Sequence, residues 1–301
     1  MPYRYAILDV FTRTPFTGNA LAVVADAAGL DDARMQAIAR EFNLSETVFV
    51  LPPDNPVHSA RVRIFTPASE LPFAGHPTVG TAVHLARTAA GDAPGRHEQV
   101  LVLEEKVGPV RCGVTVEGRA GHAIFDVPRI PEPLDVAFDR GAIAAALGLE
   151  PAEIGFENHR PSAWSAGTPY VFVPVRDLAT IARAAPRGEA WSKALAGVSH
   201  GMYLYCRQTV TAGNQFHARC FAPDAGIAED PATGGAAAAF GGVVWRFDEL
   251  TTGRNRIAIE QGVEMRRPAL IVLEVDVERG KVAASRIGGE AVIVAEGTLD
   301  F

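Results

Sequence analysis

The 301 residues suffice for two domains of ordinary size, and 48% hydrophobic with 21% charged residues describes a globular chain rather than a disordered or fibrous one. Twenty-eight basic against 35 acidic residues give a net charge of −7, which offers no basic footprint to nucleic acid or to an anionic membrane and favours small-molecule partners. The opening MPYRYAILDVF lacks a basic region followed by an apolar stretch, no apolar run approaches the roughly 18 residues of a membrane span, and Cys112, Cys206 and Cys220 lack metal-site spacing; the expected setting is the cytoplasm, with reduced thiols and no zinc.

In chain order, RYAILDVF and NALAVVAD read as two strands joined by a turn that Pro15 and Gly18 punctuate. Asp31 or Asp32 can cap a helix to about Asn43, with Met35, Ile38 and Phe42 on one face. ETVFVLP and HSARVRIFTP are β-rich runs ended by proline. RIFTPASELPFAGHPTVGTA (63–82) then follows, and ARCFAPDAGIAEDPATGGAA (218–237) repeats its plan: Arg-x-Phe-x-Pro, a loop, a polar residue before proline, and a run of small residues. Such a repeat fixes the architecture first. PTVGTAVHLA and PATGGAAAAFGGVVW have no polar stripe, so each is expected to be a helix surrounded by other structure. Strands are expected near 99–106, 109–118 and 121–128 after the first helix, and near 255–262, 269–278, 281–287 and 291–297 after the second. Helices are expected at 139–148 and 177–197. The proline-rich VPRIPEPLDVAF marks a boundary near residue 130.

The expected fold is therefore α+β: two pseudo-symmetric halves, 1–130 and 131–301, each a curved, mostly antiparallel sheet or barrel wrapped around a central buried helix, with the last strand able to return to the first half. The two helix N-termini are expected to face each other across a cleft.

Those helix starts carry the first chemistry. Asp230 before Pro231 suits a helix N-cap followed by the first helical position for purely structural reasons. His76 before Pro77 repeats the relation, although aligning Thr78 with Thr233 sets Gly75 opposite Asp230 instead. Unpaired N–H groups and the positive end of the helix dipole make each start a place for a carboxylate. Gly75, Gly80, Gly234 and Gly235 permit close approach of a ligand or, equally, close helix packing. Glu46, in NLSETVFV, reads by itself as a solvated residue at a strand start.

Four blocks change that reading of Glu46. DVFTRTPFTGNALAVV, NLSETVFV, RIFTPASELPFAGHPTVGTA and ARCFAPDAGIAEDPATGGAA, in this order, resemble the signature blocks of the phenazine-biosynthesis (PhzF-like) isomerase family, relatives of diaminopimelate epimerase. The resemblance implies the diaminopimelate epimerase-like fold of two similar halves. It also implies Glu46 as general acid/base, His76 and Asp230 assisting it, and a homodimer. The epimerase relatives use two cysteines at the helix starts, and Cys112, Cys206 and Cys220 lie elsewhere. Where the family has Thr-Gly-Ser, this chain has Thr233-Gly234-Gly235, which removes a hydroxyl that would contact substrate.

No Walker loop, dinucleotide Gly-x-Gly-x-x-Gly or His-Glu-x-x-His occurs, and AWSAG (163–167) is a poor nucleophile elbow because Ala163 stands in place of its first glycine. The expected activity is thus a cofactor-independent isomerase that shifts a proton and a double bond in a small carboxylate. Glu46, Asp230 and His76 would be its catalytic residues, and Gly75, His76, Thr233, Gly234 and Gly235 would hold the carboxylate and developing charge. The alternatives are a racemase or epimerase of a small acid, and a binding protein without turnover.

Overall fold

The structure, a computed structural model, describes residues 2–195 and 201–301. The chain divides into two compact units, Met1–Pro128 with Ile287–Phe301, and Arg129–Arg286.

In the first unit β1 (Tyr3–Val10) and β2 (Asn19–Val24) form an antiparallel pair. Their connection needs glycine at Gly18: φ is +63°, and a Cβ there would lie 2.2 Å from the Val10 carbonyl oxygen. Helix α1 (Asp32–Phe42) starts where the Asp31 carboxylate accepts the Arg34 N–H and stops at Asn43 in the left-handed region. Its buried Met35, Ile38 and Ala39 pack in one cluster with Phe49 and Phe65. β3 (Glu46–Leu51) runs parallel to β2, β4 (Ala60–Phe65) antiparallel to β3, and the short β5 (Glu70–Leu71) folds back on β4. Helix α2 (Gly75–Ala90) follows, then the meander β6 (Arg96–Glu105), β7 (Gly108–Glu117) and β8 (Ala120–Asp126), with β6 parallel to β4.

The second unit holds β9 (Glu132–Leu134), α3 (Arg140–Leu147), β10 (Ser162–Ser165), β11 (Pro169–Pro174), α4 (Leu178–Arg183), α5 (Gly188–Leu195), β12 (Met202–Cys206), β13 (Phe216–Ala222), β14 (Ile227–Asp230), α6 (Gly234–Phe247), β15 (Gly253–Gln261) and β16 (Ala269–Glu278). The last strand, β17 (Lys281–Leu299), starts in this unit and continues into the first from Ile287. It merges the two runs expected at 281–287 and 291–297. The helix expected at 177–197 is two: α4 ends at Arg183, with Ala184 already extended, because Pro186 pushes Ala185 out of the helical region and has no N–H to continue the helix. Residues 196 and 197 of that expected helix lie outside the described residues.

Pairing closes the first unit into a ring, β17–β1–β2–β3–β4–β6–β7–β8 and back to β17. Eleven of the sixteen residues of α2 are buried, which is why it could be written without a polar stripe. At Gly80 a Cβ would come within 2.5 Å of Leu21 and 2.8 Å of Val10, so this glycine serves helix-to-strand packing. From β17 to β7 the ladder reads antiparallel, antiparallel, parallel, antiparallel, parallel, antiparallel. The second unit repeats that series from β9 through β10, β11, β12, β13 and β15 to β16. Its central helix α6 buries ten of fourteen residues, with Phe240 set among the rings of Phe172, Tyr203, Tyr205 and Phe216. On the outside of this sheet α3 and α5 bury Ile143, Leu147, Trp191 and Leu195 against Val171, Val173 and Leu204. Among the described residues no helix is long and apolar enough to cross a membrane.

The duplicated Arg-x-Phe-x-Pro has a physical meaning in both units. Arg63 Nε and Nη2 each donate to a different oxygen of Glu70 at 2.8 Å, and its guanidinium stands 5.2 Å from the Phe65 ring centre. Arg219 clasps Glu229 at 2.7 and 2.8 Å and stands 4.7 Å from Phe221. A planar, two-pronged donor above an aromatic ring fastens β5 to β4 and β14 to β13, just ahead of each central helix.

Candidate active site

In the first unit the parallel pairing of β2 and β3 sets Glu46 opposite Leu21, near the start of β2 where Asn19 sits. The N-terminal turn of α2 brings His76 to the same place. All three side chains belong to buried residues: Glu46 is 8% exposed, His76 3% and Asn19 1%. His76 Nε2 lies 3.2 Å from Glu46 Oε2, off the line of a hydrogen bond. Asn19 Nδ2 lies 3.2 Å from His76 Nδ1. With the amide donating to Nδ1, the neutral ring carries its proton on Nε2, the nitrogen facing the carboxylate. Burial pushes His76 down to about 3, so it is uncharged near neutral pH. An uncharged donor orients a carboxylate while quenching its basicity less than a cation would. Contacts of this kind tighten in the substrate complex.

α2 begins at Gly75, with Ala74 as an N-cap that makes no side-chain hydrogen bond and no acidic residue in the first turn. The positive end of its dipole is therefore left without a carboxylate of the helix's own. His76 is the second helical residue and does not precede the helix as expected. Pro77 is the third, a first-turn position where a missing N–H costs nothing.

In the second unit Asp230 also departs from expectation. It is the last residue of β14, opposite Cys220, and the N-cap of α6 is Thr233, with Gly234 rather than Pro231 as the first helical residue. The physical reason is a competing partner distant in sequence. Gln261, fully buried at the end of β15, accepts the Thr233 N–H at 3.1 Å and donates to the Asp230 carbonyl at 2.8 Å and to Thr233 Oγ1 at 3.0 Å. Thr233 Oγ1 in turn donates to Asp230 Oδ2 at 2.6 Å. The carboxylate of Asp230, 8% exposed, thus accepts from the hydroxyl of the N-cap residue, one step ahead of the helix. Gly234 is buried in the first turn, and at Gly235 a Cβ would meet only the Tyr170 hydroxyl, at 3.7 Å, so a side chain fits there. The matched helix starts are Gly75 and Gly234, which pairs His76 with Gly235 and supersedes both alignments drawn from sequence.

The structure brings Glu46 together with His76 and Gly75 in one unit, and Asp230 together with Thr233, Gly234 and Gly235 in the other. Sequence reasoning missed Asn19 and Gln261. Asn19 stands in the TGNALAVV block, but only its contact with the ring nitrogen reveals a role. Gln261 sits 28 residues from Thr233, and nothing in IEQGVE signals it. The three cysteines are free and buried. Among the described residues no group of three or more His, Cys, Asp or Glu side chains is placed to hold a metal ion.

Residues 8–297 match the family described as phenazine biosynthesis-like protein. The chain belongs to that family. It is 54% identical over 299 residues to an uncharacterized isomerase of Mesorhizobium japonicum, covering 98% of each chain. It is 34% identical over 298 residues to the trans-2,3-dihydro-3-hydroxyanthranilate isomerase of Pseudomonas chlororaphis, covering 99% of each. Among solved structures it is similar to the PhzF-family phenazine biosynthesis protein of Bacillus anthracis, with a TM-score of 0.88, 28% identity and full coverage of both chains. This member of the PhzF family is an isomerase with the family's α+β fold.

Proposed function

We propose that the protein isomerises a small unsaturated carboxylate by moving one proton, and with it a double bond, through Glu46. The observation that carries this reading is the buried Glu46 carboxylate with an uncharged imidazole 3.2 Å away. Glu46 takes a proton from an acidic carbon of the substrate; the electron pair left behind forms the new double bond as the old one shifts, and the same carboxyl returns the proton at the far carbon. Atoms and charge balance without a co-reactant. His76 Nε2–H orients the carboxylate, and the uncapped start of α2 favours negative charge developing on the substrate. Asp230 is proposed as an assisting carboxylate. A compound of the class named by the relatives, a hydroxy-amino carboxylate such as trans-2,3-dihydro-3-hydroxyanthranilate, is the substrate to try first. Three buried free thiols suit a reducing compartment, the cytoplasm.

Incubating the protein with that compound in D2O and following it by NMR tests the reading. A shifted double bond is expected, with deuterium at the receiving carbon only in those turnovers in which the Glu46 carboxyl exchanges its proton with solvent before returning it. Deuterium exchange with inversion at one carbon would mark an epimerase instead, and binding without either change would mark a protein without turnover.

A further inference from the structure

We propose that Glu105, the last residue of β6, is a positioning residue that acts as an uncharged, amide-like brace for the first turn of α2, the counterpart in the first unit of Gln261 in the second. The two occupy the same place in the repeated ladder. Each ends the strand that follows the central helix, and that strand runs parallel to the one carrying the clasp arginine, β4 or β13. Each is buried, 7% exposed for Glu105 and 0% for Gln261, and each reaches a threonine of the first turn region of its central helix, the fourth helical residue Thr78 or the N-cap Thr233.

The hydrogen count decides the protonation. Thr78 Oγ1 lies 2.7 Å from Glu105 Oε1 and 2.7 Å from the carbonyl oxygen of the N-cap residue Ala74. The hydroxyl has one proton and cannot donate to both. Both contacts are satisfied if the carboxyl carries a proton and donates to Thr78, which donates to Ala74. Glu105 Oε2 is buried without a hydrogen-bond partner, a costly site for a full carboxylate. Burial pushes this group up to about 8, opposed only by the threonine hydroxyl.

The charged neighbours are turned away or are neutral. Glu104 alternates to the other face of β6, beside His58, and Lys106, in the turn after β6, binds Glu70. On β4, Arg61 lies near Asp54, and Arg63 is held by Glu70 and Asp32. β7 presents Cys112, whose thiol is pushed far up by burial, by Glu105 and by Asp126 of β8. On α2, His76 is uncharged. Ionising Glu105 would turn the Thr78 hydrogen away from Ala74 and loosen the turn that carries Gly75 and His76 beside Glu46.

This inference rests on the proton-transfer reading for its effect on rate, so its test has an arm that needs no turnover. Glu105 holds a proton in the folded state up to about pH 8 and in the unfolded state only to about 4.5. Its stabilising contribution is present below 4.5, is lost as pH rises from 4.5 to 8, and then stays constant. The melting temperature of Glu105→Gln minus that of the unaltered protein is expected to grow across that window, by several degrees, and to level above it. The kcat of the unaltered protein is expected to fall with a midpoint near pH 8. Glu105→Gln should keep its neutral-pH kcat within about twofold and lose that alkaline limb, while Glu105→Leu should lose roughly tenfold or more at every pH through misplacement of the turn. Melting curves that run parallel across pH, or the same alkaline limb in Glu105→Gln, would overturn the brace. Absence of turnover in all variants would overturn the isomerase reading alone, with the melting data still deciding the brace.

Discussion

The two units are one scaffold carrying unequal chemistry. Their strand ladders run in the same order, their Arg–Glu clasps sit at the same step, and each braces its central helix from the end of the following strand. The difference is at the strand before the clasp. Phe65 lies opposite Thr47 and Phe221 opposite Met202, so the register gives Glu46 the counterpart Gly201. Where the first unit sets a carboxylate under an imidazole, the second has no side chain. The braces differ as well: Gln261 is an amide at every pH, whereas Glu105 imitates one only while protonated. The scaffold tolerates either solution because what it requires is a neutral donor at the helix start.

The largest expected effect comes from removing the permanent brace. Gln261→Leu leaves the Thr233 N–H, the Thr233 hydroxyl and the Asp230 carbonyl without this partner in a buried site, and should lower the unfolding free energy by about 3 kcal/mol or more, measured by urea titration. Gln261→Glu should make the second unit behave like the first, adding a loss of stability as pH rises. If it melts identically from pH 5 to 9, the equivalence of the braces fails.

The clasps separate next. The Arg219 side chain is 8% exposed and also donates to the carbonyls of Ile181, Ala182 and Ala184, whereas the Arg63 side chain is 21% exposed and donates to the carboxylates of Glu70 and Asp32. A lysine cannot reproduce the two-pronged geometry. Arg219→Lys should cost about 2 to 4 kcal/mol, and Arg63→Lys about 1 kcal/mol, by the same titration. The smallest effect is expected at Gly235→Ser, within about 0.5 kcal/mol, since the added Cβ meets only the Tyr170 hydroxyl.

The repeat, both central helices and the α+β class were legible because they follow from local pattern: an apolar run without a polar stripe can only be a surrounded helix. The resemblance of their blocks singled out Glu46 and His76, which the structure sets 3.2 Å apart. The helix starts were not legible. Asp-Pro is a good local capping signal, but three hydrogen bonds from Gln261 decide where α6 begins, and that partner comes from another strand. Glu105 was illegible for the same reason. In VLEEK it reads as one of three charges at a turn, and only the alternation of β6 turns it inward while Glu104 lies on the other face.

The most direct measurement is proton transfer itself in Glu46→Gln. With trans-2,3-dihydro-3-hydroxyanthranilate followed by NMR, this variant is expected to melt like the unaltered protein and to shift the double bond at least about a hundredfold more slowly, the usual loss when a general acid/base is removed. Isomerisation by Glu46→Gln at the unaltered rate would contradict the assignment of the chemistry to the first unit's carboxylate.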